Sequence, residues 1–292
     1  MQTLEDLIYE RLTESEALTE LLAVYGDSPA VFYQKAPDDT ATGWRERKQY
    51  PRLDFVADYQ ADPERNTSGA LTVNIWCAED GAAPEEIEPI VRGLLRGIFL
   101  TPEQSFPYSL AWSATDAFDM EKGNNLITGA TVSFDLYAFP GQITCDPDPI
   151  LAMNEFTRTL FPDATVIGSS ELPTILTPSA DAPVFYYRLQ DMQIERETNT
   201  VAWMLGTLGA HVFASGEEIR WLRALVDALA LRGEVMMLDK SPMFIRNIKA
   251  DSAMDALAQG QLLIYVRFGL LRRRPYIHSL WVANKELTYK ED

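Results

Sequence analysis

Alternation of apolar and polar residues is the clearest pattern in the first half of the chain. After Pro51, the apolar residues Leu53, Phe55 and Ala57 alternate with mostly polar positions, and a second alternating run ends at Cys77. Successive side chains of a β-strand point to opposite faces, so each run predicts a strand with one buried face. The turn-forming residues between the two runs predict that the strands pair antiparallel.

Helical spacing appears twice in the same half. An apolar stripe recurs every three or four residues behind Pro84-Glu85-Glu86, where proline and acidic residues favour a helix start. The pattern from Leu4 to Val24 also predicts helix, with a restart at Thr13-Glu14-Ser15-Glu16, which has capping-box spacing. Further strand candidates in this half are Ala30–Tyr33, Tyr108–Thr115 and Thr128–Tyr137.

The same order of elements recurs after Pro140–Pro149, a stretch dense in turn-forming residues that we interpret as a linker. A strand candidate behind Pro183 matches the one behind Pro51, and a helix that opens at Glu217 matches the one that opens at Pro84. The other candidates of the second half are Ile150–Phe161, Thr165–Gly168, Val201–Phe213, Phe244–Lys249 and Leu262–Leu270.

We therefore predict an α+β fold of two tandem similar domains, residues 1–145 and residues 146–292. Each domain is expected to be a small, mainly antiparallel sheet flanked by helices in the order α-β-β-β-α-β-β. The repeat concerns the order of elements, because the side chains of the two halves differ. Two unrelated α+β domains that share this order by chance are the alternative.

Composition and charge limit the class of protein. Apolar residues make up 47% of the chain and charged residues 23%, which is typical of a folded globular protein. The net charge of −18 is uneven: residues 1–145 carry 10 basic and 24 acidic side chains, and residues 146–292 carry 15 and 19. Such a surface repels nucleic acid phosphates, so sequence-specific DNA binding is not expected. Acidity also keeps a protein soluble, and the sequence leaves both explanations open.

Neither cysteine usage nor hydropathy points to secretion or to a membrane. Only Cys77 and Cys145 occur, far apart in the chain, which predicts reduced thiols in a cytoplasmic setting. Glu5 and Asp6 stand where a signal peptide would be basic and then apolar. No apolar stretch is long enough to span a bilayer, so we expect no membrane contact.

Residues suited to catalysis or metal binding form no recognisable pattern. His278 has no Cys, Asp or Glu at metal-ligand spacing, and His211 lies in an apolar run that favours a core or edge position. Nucleophile-elbow, phosphate-loop and dinucleotide-binding motifs are absent from the sequence. We expect no catalytic residue, no cofactor and no metal site, and therefore no enzyme.

One basic cluster, Arg272-Arg273-Arg274, follows an apolar strand directly. Guanidinium groups form charge-assisted hydrogen bonds with carboxylates, so the cluster is a candidate latch on an acidic neighbouring subunit. A solvated strand end is the alternative. Trp281 lies in the polar C-terminal segment, which we interpret as an interaction arm; packing against its own domain is the alternative. These three arginines and Trp281 are the candidate subunit-interface residues.

The first half resembles the tail-terminator and tail-completion proteins of long-tailed bacteriophages. The resemblance lies in an acidic amphipathic N-terminal helix, in Leu22–Asp27 and Ala30–Phe32, and in the strand entry Tyr50–Phe55. The strand that ends at Cys77, the Glu-Glu-Ile helix and the strand Val132–Tyr137 are similar as well. It covers most of residues 1–145 and extends more loosely over the second half. Members of the family are commonly single domains of about half this length.

The resemblance implies a small sheet flanked by helices, in a protein that closes the end of the tail tube as a ring and joins it to the head. Rings of this family usually have six subunits, so three duplicated chains would supply six similar domains around a DNA passage. The implied partners are copies of the chain, the tail tube and the head–neck connector, with DNA passing through the lumen unbound. The implied location is the virion, after assembly in the host cytoplasm.

Two other functions are compatible with the sequence. The chain is suited to another adaptor role in a phage tail or injection machine, such as joining the tube to a baseplate. It is also compatible with an α+β protein that binds a small molecule at a site built from dispersed residues.

Overall fold

The computed structural model describes residues 2–61, 67–79, 81–122, 125–251, 257 and 260–272. The helices are α1 (Leu4–Thr13), α2 (Glu16–Thr19), α3 (Pro84–Leu95), α4 (Pro149–Leu160) and α5 (Glu218–Arg232). The strands are β1 (Val24–Tyr25), β2 (Ser28–Pro29), β3 (Val31–Tyr33), β4 (Arg52–Asp58), β5 (Gly69–Ala78), β6 (Phe99–Leu100), β7 (Tyr108–Lys122), β8 (Asn125–Ala138), β9 (Thr165–Val166), β10 (Ile175–Leu176), β11 (Val184–Glu197), β12 (Val201–Phe213), β13 (Glu234–Met236), β14 (Pro242–Ala250) and β15 (Leu262–Leu271). The predicted mixed α+β class is confirmed.

Helix starts follow from capping groups in the sequence. The Thr3 hydroxyl accepts the backbone N–H of Asp6, and the Asp6 carboxylate accepts the N–H of Thr3, which closes a capping box before α1. Asp148 accepts two backbone N–H groups of the first turn of α4. The N-terminal helical pattern breaks after Thr13 and restarts as α2, although Ser15 makes no side-chain cap bond.

The larger sheet has the order β10-β6-β7-β8-β5-β4-β3. β3 runs parallel to β4, and the other pairs are antiparallel. Leu53 and Phe55 of β4, with Val73 of β5, point to a core that also contains Leu7 of α1 and Val91 of α3. Because both helices cover the same face, the intervening residues of the strands lie on the opposite, outer face.

The second sheet has the order β13-β14-β15-β12-β11-β9. Its pairings repeat those of the larger sheet: β9 runs parallel to β11 as β3 does to β4, and four antiparallel pairs follow in the same succession. α4 and α5 hold the places in the chain that α1 and α3 hold in the first half. Phe185, Tyr187, Leu225 and Phe268 belong to the buried core between this sheet and its helices.

The two sheets are joined by a strand that crosses from one half to the other. β10 belongs to the second half of the chain, yet it pairs antiparallel with β6 at the edge of the first sheet. The backbone N–H of Thr101 donates to the carbonyl of Thr174, 2.8 Å away, and extends this pairing. The larger sheet is therefore completed by residues from the second half.

The observed order of elements departs from the predicted order α-β-β-β-α-β-β. Five short strands, β1, β2, β6, β10 and β13, are additional, as is the one-turn helix α2. These five strands have two or three residues each, which is too few to show a period of two. β7 extends to Lys122 and β8 begins at Asn125, well beyond the predicted bounds. The added part of β7 is mostly exposed and therefore shows no alternation, although its partner strand buries Ile127.

Candidate subunit-contact surfaces

Arg272 lies at the end of β15 and contacts a neighbouring hairpin of its own chain. Its Nη2 atom lies 2.5 Å from Oε2 of Glu197, and its backbone N–H donates to the carbonyl of Thr200, 2.8 Å away. Both side chains remain about half exposed, and an ion pair in that setting contributes about 0.2–1 kcal/mol. Arg273, Arg274 and Trp281 lie outside the described residues. The role of these four residues toward another chain stays a prediction.

An aromatic cluster joins the two halves of the chain. The ring of Phe139 lies 5.4 Å from Phe99 of the first half, and 5.2 Å from Tyr186 and 5.6 Å from Phe213 of the second. Tyr186 donates its hydroxyl to the carbonyl of Pro140 at 2.9 Å. Burial raises the pKa of Tyr186 to about 12, so this hydroxyl stays protonated and keeps its role as a donor at neutral pH.

His211 lies within the same cluster, where the sequence pattern predicted a core or edge residue. It is buried, and its ring lies 5.3 Å from Tyr186 and 6.0 Å from Phe139. Among the described residues, no group of three or more His, Cys, Asp and Glu side chains is placed to hold a metal ion. His278 lies outside the described residues.

A buried carboxylate lies on the outer face of the first sheet, which the sequence pattern did not single out. Asp54 is 8% exposed and accepts hydrogen bonds from Nδ2 of Asn74 at 2.8 Å and from Nε1 of Trp76 at 2.6 Å. The hydroxyl of Thr131 donates to Oδ1 of Asn74 at 2.9 Å. Burial raises the pKa of Asp54 in spite of these hydrogen bonds, which lower it. The row Asp54–Asn74–Thr131 thus crosses three strands, β4, β5 and β8.

Arg52 lies beside this row and is also buried. Its Nη1 atom lies 2.8 Å from Oδ1 of Asp39, and the hydroxyl of Tyr50 donates to Oδ2 of the same carboxylate at 3.0 Å. The guanidinium group lies over the rings of Tyr50 and Trp44, at 4.7 Å and 5.6 Å from their centroids. Alternation alone assigned Arg52 and Asp54 to a solvent face. Trp44, the one aromatic residue of the polar segment Gln34–Gln49, was a sequence signal that this face is partly covered.

A pocket of about 380 Å³ lies between α3 and the hairpin of β7 and β8. Glu88 accepts a hydrogen bond from the hydroxyl of Thr115 at 2.9 Å and pairs with Nε of Arg92 at 3.2 Å. The Arg92 guanidinium lies 4.9 Å from the ring centroid of Trp112, whose Nε1 donates to Thr115 at 2.9 Å. The pocket therefore combines an aromatic wall with a carboxylate and a guanidinium group.

Comparison with known protein families and with curated proteins gave no match to this chain. No protein-family model matches the chain, and no curated protein matches it. Within the described part of the chain, no helix has both the length and the apolar character that crossing a bilayer requires.

Proposed function

We propose that this chain is a structural protein of a bacteriophage tail, a tail-terminator or neck protein that forms a ring at the end of the tail tube and joins it to the head. The observation that carries the proposal is the docking of one sheet-and-helix unit on another unit with the same strand order. The resemblance of the first half to tail-terminator proteins supplies the biological setting.

Two steps lead from the fold to a ring. First, the shared succession of strand pairings supports a tandem duplication, with residues 1–145 and 146–292 as the two copies. Second, the contact between the halves joins different surfaces of the two units, the edge at β6 on one side and the β10–β11–β12 region on the other. A contact between unlike surfaces, repeated about an axis, gives a ring when the rotation closes and an open filament when it does not. Three chains would then supply six similar units.

The charge of the chain fits a passage for DNA. A net charge of −18 repels phosphates at long range, so DNA can pass through the lumen without being held. Partners of such a ring are the tail tube and the head–neck connector, and the ring itself takes no part in catalysis. Assembly would take place in the host cytoplasm, and the finished protein would remain in the virion.

Mass photometry and negative-stain electron microscopy of the purified full chain test this proposal. We expect assemblies of three chains, with annular particles of threefold symmetry, and rings at the ends of isolated tail tubes. A chain that stays monomeric at all concentrations and does not bind tail tubes would contradict the proposal. Labelled protein found at the distal end of intact particles would favour the adaptor role instead.

Ligand binding is a second candidate function, and the pocket beside α3 is the observation that favours it. A cavity of about 380 Å³ with an aromatic wall and charged groups is in the size range of small-molecule sites. A thermal-shift screen of metabolites against the wild type and Trp112→Ala tests this candidate. A ligand that stabilises the wild type and not the variant would support it.

A further inference from the structure

A groove of about 460 Å³ lies on the outer face of the second sheet, where β11, β12, β15 and β14 supply its lining. Leu208 and Ile264 belong to the second core, so their neighbours Thr207 and Tyr265 point away from it. Both Thr207 and Tyr265 line the groove. The second sheet therefore carries a groove on the face that its helices do not cover.

One row of paired residues runs across all four strands of the groove. Asp191 of β11 lies opposite Thr207 of β12. Tyr265 of β15 is next in the row, and Asn247 of β14 ends it. Neighbouring strands lie about 4.8 Å apart, so three spacings give the row a length of about 14 Å. The row is therefore long enough to contact a ligand with several polar groups in line.

Bulges on both flanking strands shape this row. The register of β11 against β12 shifts between Leu189 and Asp191. The register of β14 against β15 shifts between Ile245 and Asn247. Each shift adds one residue to the flanking strand, which bends the strand and re-aims side chains, as bulges beside binding sites do. Asp191 and Asn247 follow the bulges directly and form the two rims of the groove.

The polar side chains of the groove have hydrogen-bonding capacity to spare. The rims carry four exposed polar side chains: Asp191 and Gln193 on β11, and Arg246 and Asn247 on β14. Thr207 and Tyr265 are half-buried between the rims. Within the part of the chain that the structure describes, none of these six side chains hydrogen-bonds or forms an ion pair. The groove thus keeps both donors and acceptors available to a ligand.

The charges of the groove favour an uncharged ligand. Asp191 and Arg246 carry opposite charges on opposite rims. Glu195, which also lines the groove, is neutralised by Arg267, whose Nε lies 2.6 Å from its Oε2. These four groups sum to zero, while the net charge of −18 on the whole chain repels anions such as nucleotides at long range.

Hydroxyl groups match this lining better than charged groups do. Thr207 and Tyr265 each donate and accept through one hydroxyl, and Asn247 does both through its amide. A sugar ring presents the same combination, with donors and acceptors in fixed positions around an apolar C–H face. That face can pack on the ring of Tyr265 and on Leu205, which also lines the groove.

We propose that the groove across β11, β12, β15 and β14 binds a neutral oligosaccharide. Asp191 and Asn247 hold sugar hydroxyls at the two rims, and Tyr265 supplies a stacking surface and a further hydroxyl between them. The site lies within one chain, is separate from the pocket beside α3 and does not depend on the proposed ring.

A glycan array probed with the purified full chain tests the ligand class. The array carries neutral oligosaccharides of glucose, galactose, mannose and N-acetylglucosamine, with sialylated and sulfated glycans as charged counterparts. We expect binding to neutral glycans and none to the charged ones. Failure to bind any neutral glycan would overturn the proposal, and so would a preference for the charged glycans.

Alanine substitutions test the residues, with affinities measured by titration calorimetry against the neutral glycan that binds best. Asp191→Ala and Asn247→Ala should each lower the affinity tenfold or more and leave the melting temperature unchanged, because both side chains are exposed. Asp116→Ala is the matched control, since Asp116 is an exposed carboxylate opposite Thr131 on the first sheet. It should bind like the wild type. Binding that is lost in Trp112→Ala and kept in both groove variants would assign the glycan to the pocket beside α3, against the proposal.

Thiol labelling tests whether another chain covers the groove. In a Cys145→Ser background, Gln193→Cys should react with a maleimide at every protein concentration, and the neutral glycan should slow the reaction. Cys77 is buried and should not react. Protection of Gln193→Cys that appears only as the protein concentration rises would show that a neighbouring chain fills the groove, and would overturn the saccharide site.

Discussion

The hydrogen bond between Tyr187 and Thr157 offers a quantitative test of how the second half holds its first helix. The two hydroxyl oxygens lie 2.6 Å apart between α4 and β11, and both residues are buried. Burial raises the pKa of Tyr187 well above its ordinary value, so the hydroxyl remains protonated. The pair is therefore a neutral bond that water does not compete for.

Tyr187→Phe removes one hydroxyl and leaves Thr157 buried without this partner. A buried polar group left unsatisfied costs roughly 1–3 kcal/mol. The Thr157 hydroxyl lies in a helix and can turn to a carbonyl of the preceding turn, so we expect a loss of about 1–2 kcal/mol in the free energy of unfolding. Thr157→Val removes the other hydroxyl and should cost a similar amount. The double variant leaves neither hydroxyl behind, so its cost should fall short of the sum by about 1 kcal/mol.

Urea denaturation followed by circular dichroism measures these free energies. The comparison requires that the unfolding free energy falls with urea concentration at the same slope in every variant. Thr159→Val is the control, because the Thr159 hydroxyl of the same helix is exposed and bonds only to the carbonyl of Glu155. It should change the free energy of unfolding by less than about 0.5 kcal/mol. Costs of the two single variants that add within about 0.5 kcal/mol would refute the reasoning, since independent sites behave in that way.

Three further predictions concern the first half and its thiols. A Cβ at Gly129 would lie 2.2 Å from Cζ of Phe118 and 2.4 Å from the backbone oxygen of Ile75, so Gly129→Ala should lower the melting temperature. Gly93 lies on α3 with open space around it, so Gly93→Ala should stabilise the helix by about 0.5–1 kcal/mol and raise the melting temperature. Burial raises the pKa of Cys77 to about 12, so a thiol reagent at neutral pH should label at most Cys145 until the chain is denatured. Burial raises the pKa of Asp54 above 3.8, its ordinary value, so the folded state favours the protonated carboxyl. The contribution of Asp54 to stability is therefore full below pH 3.8 and is lost as the pH rises through its folded-state pKa. Relative to the wild type, Asp54→Asn should therefore be more favourable at neutral pH than below 3.8 in denaturation curves.

Periodic elements were predictable from the sequence because one signal repeats many times within each of them. The alternation of Leu53, Phe55 and Ala57 gave β4, the run Val201–Phe213 is β12 as predicted, and the stripe behind Pro84 is α3. Short or exposed elements carried no such signal. β6 and β13 have too few residues, and the outer part of β7 pairs with β8 while most of its own side chains stay exposed.

The candidate contact surfaces were predictable only in part. Arg272 was a candidate because three arginines follow one another in the sequence, and its guanidinium group pairs with Glu197 of the same chain. Asp54 was not a candidate, because its neighbours in the sequence look like those of any solvent-facing residue. Asn74 and Trp76, which make Asp54 a buried hydrogen-bond acceptor, lie on the next strand.

The sequence by itself determined the class of the fold, the presence of its long periodic elements and the core-facing side of strands such as β4 and β5, since these depend on the spacing of side chains along one segment. Only the tertiary structure decided that β10 completes the sheet of the other half, that Asp54 is buried, and that Phe99 and Tyr137 are covered. Those features arise from contacts between residues far apart in the chain. Their free energy depends on which surfaces meet, and no local pattern contains that information.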